Sequence, residues 1–164
     1  MSAPLYGADI LRLAASVPSG GRLAEPMGTA ERRATLCGSR VAVDVDLDAA
    51  GRVEALGMEV RACALGQASA ALLARDAAGR TAADLAAARD AVAAWMAGAG
   101  DAPDWPGVEV LAPARAHPAR HAAVRLPFEA AAEAAASCSP AEAGVQGGGD
   151  GAWASRLPPS REHK

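Results

Sequence analysis

Residues 37–63 read C-G-S-R-V-A-V-D-V-D-L-D-A-A-G-R-V-E-A-L-G-M-E-V-R-A-C, and this stretch decides the fold. Val41, Val43, Val45 and Leu47 take one parity while Asp44 and Asp46 take the other, which is the period of a β-strand over 40–47. The D-A-A-G segment at 48–51 predicts a hairpin loop with Gly51 at a positive φ. Residues 52–62 predict the return strand, with Leu56, Met58, Val60 and Ala62 alternating. Val53 and Ala55 fall on the opposite parity, so a bulge is expected near residue 55. An antiparallel hairpin returns the chain to where it began, so Cys37 and Cys63 flank the same end of it. Asp44, Asp46 and Asp48 read as one solvated face.

Working outward, Leu5, Ile10, Leu13 and Val17 predict an amphipathic helix over 5–16, ended by Pro18. Residues 19–30 are expected to be a loop and 31–36 a first strand. After Cys63, residues 64–77 predict a helix with Leu65, Ala68, Leu72 and Leu73 on its apolar side, and Gly79 as a cap. Thr81 with Asp84 three residues on reads as a capping box, opening a helix that buries Leu85, Val92, Trp95 and Met96. Gly98 and Gly100 close it. Residues 101–117 form a Pro-punctuated connection containing V-E-V-L. A last helix is expected from Pro118 to about Ala136, with Val124, Leu126 and Phe128 in it. From Ser137 the composition shifts to Ser, Pro and Gly, which cannot bury enough apolar surface to offset ordering. The expected organisation is one domain over 1–136 and a disordered tail over 137–164. The fold class is α+β: an N-terminal helix, a small antiparallel three-stranded sheet, then helices packed on one face.

Composition bounds the function. The 164-residue chain carries a net charge of −3, and no basic patch suited to a phosphate backbone stands out, so nucleic acid is not an expected partner. No apolar run approaches the ~20 residues that span a bilayer, so no membrane role is expected. The N-terminal M-S-A-P-L-Y-G-A-D lacks a basic segment followed by an apolar one, and a cytoplasmic protein is expected. There, three cysteines stay reduced and do not suggest a disulfide framework. No base and orienting group accompany either early cysteine in the manner of a hydrolase. Asp46, Asp48 and Gly51 lack the rest of a calcium loop. The G-G-G-D-G run at 147–151 follows no strand, so it is no nucleotide fingerprint. Arg115, Arg120 and Arg125 are expected to solvate the last helix or meet an acidic partner.

The two early cysteines carry the chemistry. Cys63 precedes a helix, whose free N–H groups and dipole suit a thiolate ligand, and Gly38 lets the backbone turn tightly after Cys37. Burial of both thiols as small apolar groups at strand ends remains the alternative.

Three segments in order extend this reading: C-G-S-R-V at 37–41, C-A-L-G-Q-A-S-A-A-L-L at 63–73, and P-A-R-H-A-A-V-R-L-P-F-E-A at 118–130. With the L-Y helix before them, they resemble the U-type iron–sulfur cluster assembly scaffold family, which includes IscU, SufU and the N-terminal domain of NifU. The insertion before the last segment is similar to that of the SufU branch. The resemblance implies a SufE/NifU-like fold and a non-enzymatic protein that binds iron. It implies a transient iron–sulfur cluster or zinc as the bound group, held by Cys37 and Cys63. It implies cysteine desulfurase and other assembly proteins as partners. The family's aspartate falls on Ser39 and its third cysteine on Ala123, so the ligand set is degenerate. Two chains would supply four thiolates to a [2Fe–2S] cluster bridging a homodimer. The alternative is a metal-free module that docks a desulfurase. Of the remaining donors, His121 lies about 200° round the helix from Ala123. His117 is expected in a loop, and Cys138 and His163 in the exposed tail.

Overall fold

A meander of three antiparallel strands, in the order β1-β2-β3, forms the sheet. The computed structural model describes residues 6–18, 21–35 and 38–138. The strands are β1 (Gly28–Ala34), β2 (Ser39–Leu47) and β3 (Val53–Arg61). In β2 the odd positions Val41, Val43, Val45 and Leu47 are buried in the core, and opposite them Met58 and Val53 of β3 are buried too. The hairpin loop closes as its sequence requires: Gly51 has φ +82°, and the Asp48 carboxylate accepts from the Ala50 and Arg52 N–H groups. The bulge is present. Asp46 faces Ala55 and Leu47 faces Val53, which leaves Glu54 as the extra residue.

Helices cover one face of this sheet. They are α1 (Ala8–Ala15), α2 (Ala64–Asp76), α3 (Ala82–Met96) and α4 (His121–Ser137). α4 crosses β1 and β2, α2 and α3 flank α4, and α1 packs on α2. Leu65, Ala68, Leu72 and Leu73 of α2 are fully buried, as their spacing predicts. The capping box forms, with the Thr81 hydroxyl accepting from Asp84 N–H at 3.1 Å and the Asp84 carboxylate accepting from Thr81 N–H at 3.0 Å. These bonds, led by the one from Thr81 N–H, hold the Asp84 carboxyl below its ordinary range. Alanines dominate α4's buried side, so its backbone can approach the sheet closely. A Cβ on Gly28 would overlap the Ala134 carbonyl oxygen. Trp105 supplies the bulk that the alanines lack: it meets Phe128 edge to face at 5.4 Å and donates its indole N–H to Leu72 O at 2.9 Å.

Several expectations are corrected. β1 spans 28–34, not 31–36, because Gly28 permits close contact with α4 three residues earlier; Leu36 and Cys37 lie outside the described residues. α1 begins at Ala8, and Leu5 lies outside the described residues too. The 101–117 connection contains a 3-10 segment over Val108–Ala116 that buries Val108 and Leu111, and a second 3-10 turn, Pro118–Arg120, precedes α4. Arg115 does not solvate α4. It donates to Trp95 O at 2.8 Å and lies over the Trp95 ring, pinning the 3-10 segment to α3.

The largest correction concerns the aspartates. Asp44 is only 1% exposed. Residues 21–23 fold over the outer face of the sheet, and the Asp44 carboxylate accepts from Arg22 Nε (2.7 Å), Thr29 Oγ1 (2.7 Å) and Leu23 N–H (3.0 Å). Gly57 admits this crossing, since a Cβ there would sit 2.7 Å from Gly21 O. Burial pushes the Asp44 carboxyl up, but the Arg22, Thr29 and Leu23 hydrogen bonds together outweigh it and hold the group below its ordinary value. Cys138 is likewise not exposed. It ends α4 at 7% exposure, with Sγ 3.3 Å from Ala135 O. Residues 139–164 of the expected tail lie outside the described residues.

Candidate functional site

The register of the β2–β3 hairpin places the site. Arg40, the second residue of β2, pairs with Arg61, the last residue of β3. Gly38 therefore precedes that pair on one strand while Cys63 follows it on the other, at the same end of the sheet. Gly38 adopts φ +74°, a conformation a Cβ would strain, and its N–H bonds Ala34 O at 2.8 Å. Cys37 lies outside the described residues, so the approach of the two sulfurs expected from the hairpin lies there as well.

Cys63 is the N-cap of α2, half-buried and a free thiol. Its carbonyl accepts the first helical bond from Gln67 N–H at 2.9 Å, and the Gln67 side chain donates to Ala62 O at 3.1 Å. No side chain caps the first turn and no acidic residue stands in it, so the N–H groups of the turn face the thiol's surroundings without a competing anion.

α4 reaches the same corner. Gly66 lies one turn after Cys63, and a Cβ on it would be 3.4 Å from Ala123 O and 3.6 Å from Ala123 Cβ. Pro127 helps bring this about. It lacks the N–H that would bond the Ala123 carbonyl, and that carbonyl faces Gly66 of α2. Beside it, the Ser69 hydroxyl donates to Val124 O at 2.7 Å, a buried clamp between α2 and α4. Ser39 occupies the first position of β2 with the inward parity of Val41, and is 3% exposed. Position 123 and the Cys63 turn are thus brought together, while Ser39 sits at the same sheet end. The residue types are a thiol, a hydroxyl and a methyl.

His121 is not part of this cluster. Its Nε2 lies 3.0 Å from Arg115 O, and a carbonyl can only accept, so that nitrogen is engaged as the donor of this bond. Cys138 is at the far end of α4 from Ala123. Among the described residues, no three His, Cys, Asp or Glu side chains are grouped closely enough to hold a metal ion. Sequence reasoning missed Gly66, whose only signal was a glycine inside a helix where alanine would serve better.

An N-terminal helix, a three-stranded meander and a cysteine-capped helix beside it define the class of the U-type scaffold fold. No protein-family profile matches the chain, and no curated protein matches it in sequence. Solved structures do. The N-terminal part of a nitrogen-fixing NifU-like protein from Brucella abortus is 38% identical, with a TM-score of 0.76 over 82% of this chain and 94% of that one. The chain belongs to the NifU-like family. A putative iron–sulfur cluster assembly scaffold protein for the SUF system from Fervidobacterium islandicum AW-1 shares the fold at 18% identity, with a TM-score of 0.73 over 80% of this chain and 96% of that one. A hypothetical protein shares it at 19% identity and a TM-score of 0.66, over 77% of this chain and 96% of that one. Among the described residues, no helix is long and apolar enough to cross a membrane.

Proposed function

We propose that this protein is a cytoplasmic scaffold in iron–sulfur cluster assembly, with Cys37 and Cys63 as the thiolates that receive the cargo. The observation that carries the reading is the Arg40–Arg61 register, which sets Cys63 and the turn after position 37 at one sheet end, in a chain of the NifU-like family. The cargo is sulfur carried as a persulfide or a nascent cluster. A closed zinc site needs four donors, and with Ser39 and Ala123 at two of the positions a single chain offers too few thiolates. Two chains supply four, so the reading takes a [2Fe–2S] cluster shared by a homodimer as the loaded state. Cysteine desulfurase is the expected source of sulfur.

Anaerobic reconstitution with ferrous iron and sulfide tests this. The expected product is coloured, thiolate-ligated and dimeric on gel filtration, and Cys37→Ser or Cys63→Ser abolishes the colour. A colourless, metal-free product from the native chain refutes the reading.

A second reading is favoured by one specific observation, the full burial of Ala123 against Gly66, which fills a family ligand position with a methyl group. Here the corner is retained as a docking module for a desulfurase and carries no cargo. Desulfurase binding that survives Cys37→Ser/Cys63→Ser, together with failed reconstitution, identifies this case.

A further inference from the structure

On the outer face of the sheet, Arg33 of β1 pairs with Arg40 of β2, and Arg40 pairs with Arg61 of β3. Three guanidinium groups thus stand in one row across all three strands, about 10 Å from edge to edge. Like charges directly opposite each other destabilise a sheet, so the row is an arrangement that folding alone does not favour. The next outward row, Glu31–Ala42–Glu59, offsets it only in part. One oxygen of Glu31 serves both Arg33 (3.1 Å) and Arg40 (3.2 Å), and one oxygen of Glu59 serves both Arg40 (3.9 Å) and Arg61 (3.3 Å). The three cations of the row share two carboxylates, and Glu59 also meets Arg22 at 3.9 Å. The side chains of Arg33 and Arg61 remain 67% exposed and turn most of their N–H groups to water.

The row lies beside the thiol. Cys63 follows Arg61 by two residues, at most about 7 Å of chain. A segment that reaches the Arg61 end of the row therefore lies within about 7 Å of chain from Cys63.

We propose that Arg33, Arg40 and Arg61 are a docking rail for an acidic, extended segment of a protein partner, which it holds beside the cysteine corner. Carboxylates on alternate residues of an extended segment are about 6.8 Å apart, within the swing of guanidinium groups on strands about 4.8 Å apart. A nucleic acid fits poorly. The row is short, Glu31 and Glu59 bound it on one side, and the chain's net charge of −3 repels a long polyanion. The proposal extends the scaffold reading by giving the partner's chemistry, but it does not require Cys63 to hold iron or sulfur, so either can fail without the other.

The test is fluorescence anisotropy of a fluorescein-labelled deca-glutamate peptide with the full chain. Binding is expected at low ionic strength and is expected to weaken steeply as salt is raised. Arg33→Ser/Arg61→Ser is expected to weaken it at least tenfold, while Arg89→Ser on α3 leaves it unchanged. Should the double variant unfold by circular dichroism, either single variant is expected to weaken binding about threefold. Amide shifts induced by the peptide are expected to concentrate at residues 31–33, 40–42 and 59–63. The proposal is overturned by no binding at low salt, by binding indifferent to the variants, or by shifts spread over the whole surface. A 20-base-pair duplex that binds through the same arginines more tightly than the peptide overturns the assignment to a protein partner.

Discussion

Removing the Asp44 carboxylate isolates what holds the α1–β1 loop to the sheet. Asp44→Ala deletes the acceptor of four hydrogen bonds: two from Arg22, one from Thr29 and one from Leu23 N–H. Breaking a fully buried ion pair costs about 3–5 kcal/mol, because the surviving charge is stranded. Here the survivor is not stranded. The Arg22 side chain is 43% exposed and rehydrates, which reduces that loss to about 1 kcal/mol. Thr29 is exposed and also finds water, but the half-buried Leu23 N–H loses a charged acceptor, at about 1.5 kcal/mol. The void left above the sheet adds about 0.5 kcal/mol, for a total near 3 kcal/mol. Urea unfolding followed by the fluorescence of the buried Trp95 and Trp105 should read this as a lower midpoint at unchanged slope. The pH dependence supplies a sign. The folded state depresses the Asp44 carboxyl below its ordinary value of 3.8, so its contribution is complete above that value and fades as pH falls through the depressed one. The difference between native protein and Asp44→Ala should therefore shrink as pH is lowered from 5 toward 2. A loss under about 0.5 kcal/mol at pH 7, or one that does not shrink in acid, refutes the latch.

Gly66→Ala should destabilise by about 1–3 kcal/mol in the same assay, because the added methyl meets Ala62 Cβ at 2.6 Å; a helix interior without that contact would gain about 1 kcal/mol instead, so the sign is the test. Thr81→Ala removes the capping box and should cost about 1 kcal/mol, read from the urea midpoint. Ala123→Cys adds a thiol to the corner beside Gly66 and should raise zinc affinity at least tenfold, about 1.4 kcal/mol, in competition with a chromophoric chelator. Unchanged affinity would mean that position 123 does not face the ligands.

The hairpin was legible because its two strands are buried on one face and alternate, so parity alone fixed register, loop and bulge. The ends of that hairpin followed from register, and with them the place of Cys63. The outer face was not legible. Asp44 has the parity and residue type of a solvated position, and only the tertiary crossing of residues 21–23 buries it. No local pattern marks such a crossing. Cys138 was misjudged for a related reason: its flanking Ser and Pro read as tail, while α4 runs to Ser137 and packs its last turn on Gly28, which buries Cys138 as the C-cap. The Glu31, Arg33, Arg40, Glu59 and Arg61 pattern was present in the sequence, but charges on three strands have no meaning as a row until the pairing is known.

These failures share a cause that bears on the site itself. A thin core of alanine, valine and leucine leaves backbones rather than side chains in contact, at Gly28 with Ala134 and at Gly57 with Gly21. Backbone contacts of this kind tolerate almost no change in side-chain volume. Gly66, whose added Cβ would meet Ala62 Cβ at 2.6 Å and lie in ordinary contact with Ala123, marks where α2 and α4 bring Cys63 and position 123 together. With only a methyl at 123, α4 supplies no third ligand here and leaves the thiol end of the sheet, with its arginine row, as the face open to a second molecule.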